Sequence, residues 1–131
     1  VADAALALGV ASDRIIKSLV FVLRDEPLLV INNGLTRVDR KKLAAHLGVG
    51  RKRVKFATPE QALAISGYAV GSMPPFGHRQ ALRTIVDETV VALDDVYGGG
   101  GAADTMMRVS TAELIHFTQA DVVDLSERPP A

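Results

Sequence analysis

The segment Ile15-Ile16-Lys17-Ser18-Leu19-Val20-Phe21-Val22-Leu23 constrains the fold more than any other. Seven of its nine residues are apolar, and the β-branched residues among them favour a strand over a helix. Period-two alternation puts Lys17 with Leu19, Phe21 and Leu23, and Ile16, Ser18, Val20 and Val22 opposite. Both sets are largely apolar, so the strand lies within a sheet covered on at least one face. A second apolar run, Leu28 to Ile31, follows Asp25-Glu26-Pro27, which predicts a hairpin. Asn32-Asn33-Gly34 supplies residues that tolerate positive φ after it.

Downstream, helices and short strands alternate. Residues 3–8 read as a helix stopped at Gly9. Asp39 caps a helix from Arg40 to Leu47 that ends at Gly48. Val54 to Ala57 reads as a strand. Thr58-Pro59-Glu60-Gln61 has the spacing of a capping box with proline at the first helical position, opening a helix to Ser66 and Gly67. Residues 84–87, 90–93, 96–97 and 106–109 read as short β runs. Ser110-Thr111-Ala112-Glu113 is a second capping box for a helix to Thr118, and residues 122–125 close the pattern as a strand. Hairpin-spaced strands among short helices argue against a simple βαβ array and for an α+β domain. At 131 residues with 48% apolar and 23% charged side chains, the chain is expected to form one domain over 1–131, with 127–131 a frayed tail.

Some chemistry is excluded at once. There is no cysteine, hence no disulfide, thiolate metal site or cysteine nucleophile. His46, His78 and His116 fit no metal-binding spacing, so no metal and no cofactor is expected. No apolar run approaches the roughly 20 residues of a membrane-spanning helix, and no secretion leader is recognisable. A cytoplasmic protein without a membrane partner is the expectation.

Charge is zero in total but uneven along the chain. Residues 37–55 carry a net +7 and residues 84–131 a net −7. Overall neutrality disfavours histone-like coating of nucleic acid. A local basic face, with Arg51, Lys52 and Arg53 as its densest part, fits one portion of a polyanion, the plain alternative being a solvated helix and loop.

Three further features carry possible chemistry. Lys17 stands alone in an apolar strand; it either snorkels at an edge or presents an ammonium to a pocket. The stretch from Gly67 to His78, with three glycines and two prolines, fixes a rigid path with bare backbone. Such a path can aim N–H groups at a developing oxyanion, or simply cross from helix to strand. Gly98 to Gly101 either admits a ligand closely or forms a hairpin tip.

In order along the chain, Lys17 in its strand, Gly67-Tyr68, Gly71-x-x-x-Pro75-Phe76-Gly77, Asp87-Glu88, and Val96-Tyr97 before the glycines resemble the YbaK/prolyl-tRNA-synthetase-associated editing domain family, from Ala4 to Asp124. The resemblance implies a mixed, mostly antiparallel β-barrel-like sheet flanked by helices. It implies hydrolysis of the aminoacyl ester of mischarged tRNA, in trans or as an insert in a synthetase. Lys17 then matches the family's essential lysine, and Gly71 the glycine whose backbone binds the substrate carbonyl. Gly99, Gly100 and Gly101 match the loop near the terminal adenosine and amino acid. Ser18, Gly67, Ser72, Pro75 and His78 complete the expected substrate-binding set, with Arg51, Lys52 and Arg53 on the tRNA. The expected partners are the aminoacylated 3′ end of tRNA and an aminoacyl-tRNA synthetase. A small amino acid such as alanine, serine or cysteine is the expected acyl group, with the proline-specific tRNA as one carrier. Met106 stands where cysteine-specific relatives carry an acid, which weighs against cysteine. The N-terminal stretch is shorter than in many relatives. The competing classes are a non-catalytic module binding a tRNA end or nucleotide and, more weakly, a hydrolase of small esters or amides.

Overall fold

The computed structural model describes residues 2–102 and 105–127. Helix α1 (Ala2–Leu8) precedes the hairpin of β1 (Ile16–Leu23) and β2 (Glu26–Asn33). Then come α2 (Arg40–Leu47), β3 (Val54–Phe56), α3 (Pro59–Ser66), β4 (Arg83–Asp87) and the single turn α4 (Glu88–Val91). The chain continues through β5 (Asp95–Gly99), β6 (Met106–Ser110), α5 (Thr111–Thr118) and β7 (Asp121–Val123).

Five strands form one sheet in the order β3-β1-β2-β4-β7, and β5 and β6 form an antiparallel pair. The β1–β2 and β1–β3 pairings are antiparallel; β2–β4 and β4–β7 are parallel. This is the expected α+β architecture, a mixed and mostly antiparallel arrangement flanked by helices. Among the described residues the strands do not close into a barrel.

The alternation of β1 is realised as two cores. Ile16 and Val20 pack with Leu29, Ile31 and Val86 against α3, α4 and α5. Phe21 packs with Leu28, Val30 and Ile85 against Leu43 and Ala44 of α2. Burying such side chains contributes on the order of 2 kcal/mol each, which fixes the register of β1: a one-residue slip would exchange the two faces.

Local chemistry sets the ends of the helices. Asp39 accepts from the Lys41 and Lys42 amides, and Thr58 and Gln61 complete a reciprocal capping box. Ser110 accepts from the Glu113 amide.

Three local expectations are corrected. Residues 90–93 are not a strand, because Asp87 accepts from the Thr89 amide at 3.0 Å and starts α4. The hairpin turn is Arg24-Asp25, both at positive φ, as a two-residue hairpin loop requires. Pro27 lies inside β2, opposite Val22 and just before the pairing of β2 with β4 begins at Leu28. Asn32 and Asn33 end β2 without positive φ and are buried. The Asn32 side-chain oxygen accepts from the Asn33 amide and from the Thr36 and Ser126 hydroxyls, tying β2 to the C-terminal segment.

At the C-terminal end, the Glu127 N–H donates to the Arg37 carbonyl at 2.8 Å. The other residues of the expected tail, 128–131, lie outside the described residues.

Candidate active site

The site grows from a gap along β1. Strand β3 covers only Phe21 to Leu23, and β5 meets β1 only at the bridge between Ile15 and Tyr97. The Ile15 carbonyl accepts from Gly34 on the β2 side, and the Val20 carbonyl accepts from Ala57 on the β3 side. Alternation therefore turns the backbone N–H and C=O of Ser18 toward the uncovered edge.

Beside this edge lies a cavity of about 320 Å³. Lys17 and Ser18 line it from β1, Gly71 from the crossing after α3, and Gly99 from the end of β5. Its apolar walls include Ile16, Val70, Met73 and Met106, and Ala4 of α1 closes one side. Among the described residues, no carboxylate and no histidine lines it.

Three polar groups at this cavity lack protein partners. Ser18 Oγ is, among the described residues, the one buried side-chain polar atom without a hydrogen bond. Such a group costs about 1–3 kcal/mol, so its retention points to a ligand. The Gly71 N–H reaches no acceptor among the described residues. Gly71 holds φ +92°, and a Cβ there would meet nothing within 4 Å, so glycine is required by conformation rather than crowding. Lys17 forms no ion pair among the described residues. Burial holds its ammonium below the ordinary lysine pKa, and the nearby positive charge of Arg37 adds to this. An anion brought to Lys17 relieves that repulsion.

The remaining predicted residues build the surround. Gly67 caps α3 at φ +84°, its N–H donating to Leu63. The buried Ser72 hydroxyl donates to the Ala69 carbonyl at 2.9 Å, and its own carbonyl accepts from Gly101 N–H at 3.0 Å. Pro75 packs where a Cβ on Gly98 would sit, 3.5 Å away. Of the glycine run only Gly99 reaches the cavity. A Cβ on it would lie 2.4 Å from the Met73 carbonyl oxygen, so the run is glycine because two backbones touch. Gly100 packs on Thr105.

His78 is not in the lining. Its Nε2–H donates to the Pro74 carbonyl at 2.7 Å, bracing the loop from behind. Burial pulls its pKa below the usual histidine value, opposed by that hydrogen bond.

Arg51, Lys52 and Arg53 form an exposed 3-10 turn away from this cavity. Arg51 borders one hollow with Arg40, Lys41 and Lys42; Lys52 and Arg53 border another with Lys55 and Phe56.

Arg37 was not singled out from the sequence. It is one of eight bases in its segment, and only the fold after β2 brings it to Lys17. Among the described residues no cluster of His, Asp and Glu is placed to hold a metal, and no helix is long and apolar enough to cross a membrane.

The sheet-edge cavity thus carries one cation, an unpartnered hydroxyl and an available backbone N–H. Comparison with known proteins shows the family. The model of the aminoacyl-tRNA editing domain matches residues 1–117, and the chain belongs to that family. It is 32% identical over 98 residues to a proline–tRNA ligase of Thermotoga neapolitana, covering 75% of this chain and 16% of the ligase. It is 33% identical over 101 residues to the proline–tRNA ligase of Nitratidesulfovibrio vulgaris, covering 77% and 17%. The chain thus spans about a sixth of these ligases. A crystal structure described as a "putative trans-editing enzyme for prolyl tRNA synthetase" superimposes with TM-score 0.89 at 34% identity, covering 96% of this chain and 78% of that one.

Proposed function

We propose that the protein is an aminoacyl-tRNA deacylase acting in trans on the ester of a small amino acid, such as alanine, serine or cysteine, carried on a mischarged tRNA such as that for proline. The observation that carries this reading is the meeting of Lys17, Ser18 and Gly71 at one cavity, each with an unused donor.

An aminoacyl ester is already activated, so positioning and oxyanion stabilisation suffice and no enzymic nucleophile is needed. Lys17 holds a phosphate or ribose oxygen of the tRNA end. Ser18 Oγ and the edge backbone of Ser18 orient the aminoacyl group. Water adds to the ester carbonyl carbon, and the oxyanion takes the Gly71 N–H. The bond to the ribose oxygen then breaks, and that oxygen receives the proton released by the attacking water. Free amino acid and a tRNA hydroxyl result. One such N–H is worth roughly 3 kcal/mol of barrier, or about two decades of rate. The walls of Val70, Met73 and Met106 favour a short side chain, and the absence of an acid at Met106 favours alanine or serine over cysteine.

A lining with no carboxylate or histidine among the described residues also suits a protein that binds the aminoacyl end without cleaving it. A panel of alanyl-, seryl- and cysteinyl-tRNA separates the two. Release of amino acid from at least one member supports the deacylase; tight binding with no release from any supports the binding module.

A further inference from the structure

The candidate cavity does not end at Lys17. Lys17 and Leu19 also line a second hollow, of about 310 Å³, with Phe21, Arg37, Arg40 and Phe56. Phe56 in turn borders a third, lined by Arg24, Lys52, Arg53 and Lys55 with Asp25 as the sole acid among the described residues. Shared lining residues therefore link the three hollows into one course around the edge of the sheet: aminoacyl cavity, Lys17, Arg37 and Arg40, Phe56, then the basic turn.

Among the described residues, the second hollow has three cations in its lining and no carboxylate. None of these cations, nor those of the third hollow, forms an ion pair among the described residues. The Arg40 guanidinium donates to the Val54 and Arg51 carbonyls, which fix it without neutralising it. Positive charge without paired acids along this course suits a chain of phosphates.

Phe56 stands in the middle of this course, 53% exposed at the end of edge strand β3. A single exposed aromatic residue is unremarkable alone. This ring, however, is held edge-on against the buried Phe21, centroids 5.0 Å apart and planes at 64°. It is also bracketed by cations on both sides. A rigid aromatic face among phosphate-binding side chains is the arrangement by which proteins hold unpaired bases.

We propose that Phe56 is a stacking platform for an unpaired base of the tRNA 3′ end, with Arg37 and Arg40 on the adjoining phosphates. This rests on the deacylase reading for the direction of the strand, but its test needs no hydrolysis. The ligand is a single-stranded polynucleotide, which offers an unpaired base to the ring and phosphates to the arginines beside it.

The test is the affinity of the full chain for a fluorescently labelled single-stranded RNA ending in cytidine-cytidine-adenosine, by anisotropy at fixed salt. Phe56→Leu keeps an apolar cover over Phe21 and removes the ring; it is expected to weaken binding about tenfold. Phe56→Tyr and Phe56→Trp are expected to bind as tightly as wild type, and so is Phe117→Leu, which removes an exposed aromatic ring outside the course. Wild-type affinity in Phe56→Leu overturns the proposal. So does an equal loss in Phe117→Leu, or displacement of the RNA by polyglutamate as readily as by unlabelled RNA. If the RNA results hold while no aminoacyl ester is cleaved, the deacylase reading fails and the platform stands.

Discussion

Replacing Gly99 with alanine probes the contact that holds the candidate site together. The added Cβ would lie 2.4 Å from the Met73 carbonyl oxygen and 2.8 Å from both the carbonyl carbon and oxygen of Ser72. All three atoms are backbone, so no rotamer change relieves the clash. An ordinary contact requires β5 and the Ser72-Met73 segment to separate by about 1 Å, and overpacking of this kind costs roughly 1–3 kcal/mol. In a domain of this size the midpoint of thermal unfolding should fall by about 3 °C or more. The displaced segment adjoins Gly71, and a shift of about 1 Å in a positioning group lowers rate roughly 100-fold. Circular-dichroism melting and release of amino acid from alanyl-tRNA measure the two effects. Gly50→Ala is the matched control: Gly50 has φ −71° and open space around its Cβ position. It should leave the rate alone and stabilise slightly, by about 0.4–1 kcal/mol, through the unfolded chain. If Gly99→Ala melts and reacts like Gly50→Ala, the backbone contact does not position the loop.

Other outcomes follow from the same geometry. Ser18→Ala removes an unsatisfied buried hydroxyl and should raise stability by about 1 kcal/mol in urea denaturation, while weakening capture of the aminoacyl end. A loss of stability would show that the hydroxyl is satisfied in solution. His78 is held below the ordinary histidine pKa by burial, so the unfolded chain takes up its proton first. Its contribution is full above about pH 6.5 and is lost as pH falls from there toward its lowered native value. The stability difference between wild type and His78→Gln should therefore shrink from pH 7.5 to pH 5.5; a constant difference contradicts burial of the neutral ring. Reversing Arg51, Lys52 and Arg53 to glutamate should flatten the log-log salt dependence of tRNA binding by about 2–3. An unchanged slope would make that turn a solvated face.

Much of the fold was legible because its signals are local. The Thr58–Gln61 capping box and the Asp39 cap are written within four residues, and β1 is announced by its own composition. Residues 90–93 misled because apolar β-branched residues carry a strand signal that the Asp87 cap overrides. The hairpin turn was displaced because Pro27 reads as a breaker, although at its register position it forfeits no ladder hydrogen bond.

Of the site, Lys17 and Gly71 stood out because a lone charge in an apolar strand and a glycine-proline stretch are each unusual. The uncovered edge at Ser18 was not visible, since it depends on where β3 stops and β5 begins. Nor was the reason for the glycine run, which lies in a contact between Gly99 and Met73 across 25 intervening positions of sequence. Arg37 became significant only when the chain after β2 carried it to Lys17.

The most direct test of the account is single-turnover release of amino acid from alanyl-tRNA carrying the proline anticodon, comparing wild type with Lys17→Ala. Wild type should release alanine, and the variant should be slowed by about 100-fold or more, the loss expected when a positioning contact to the substrate is removed. Equal rates in the two proteins would contradict the claim that this lysine anchors the tRNA end beside Gly71.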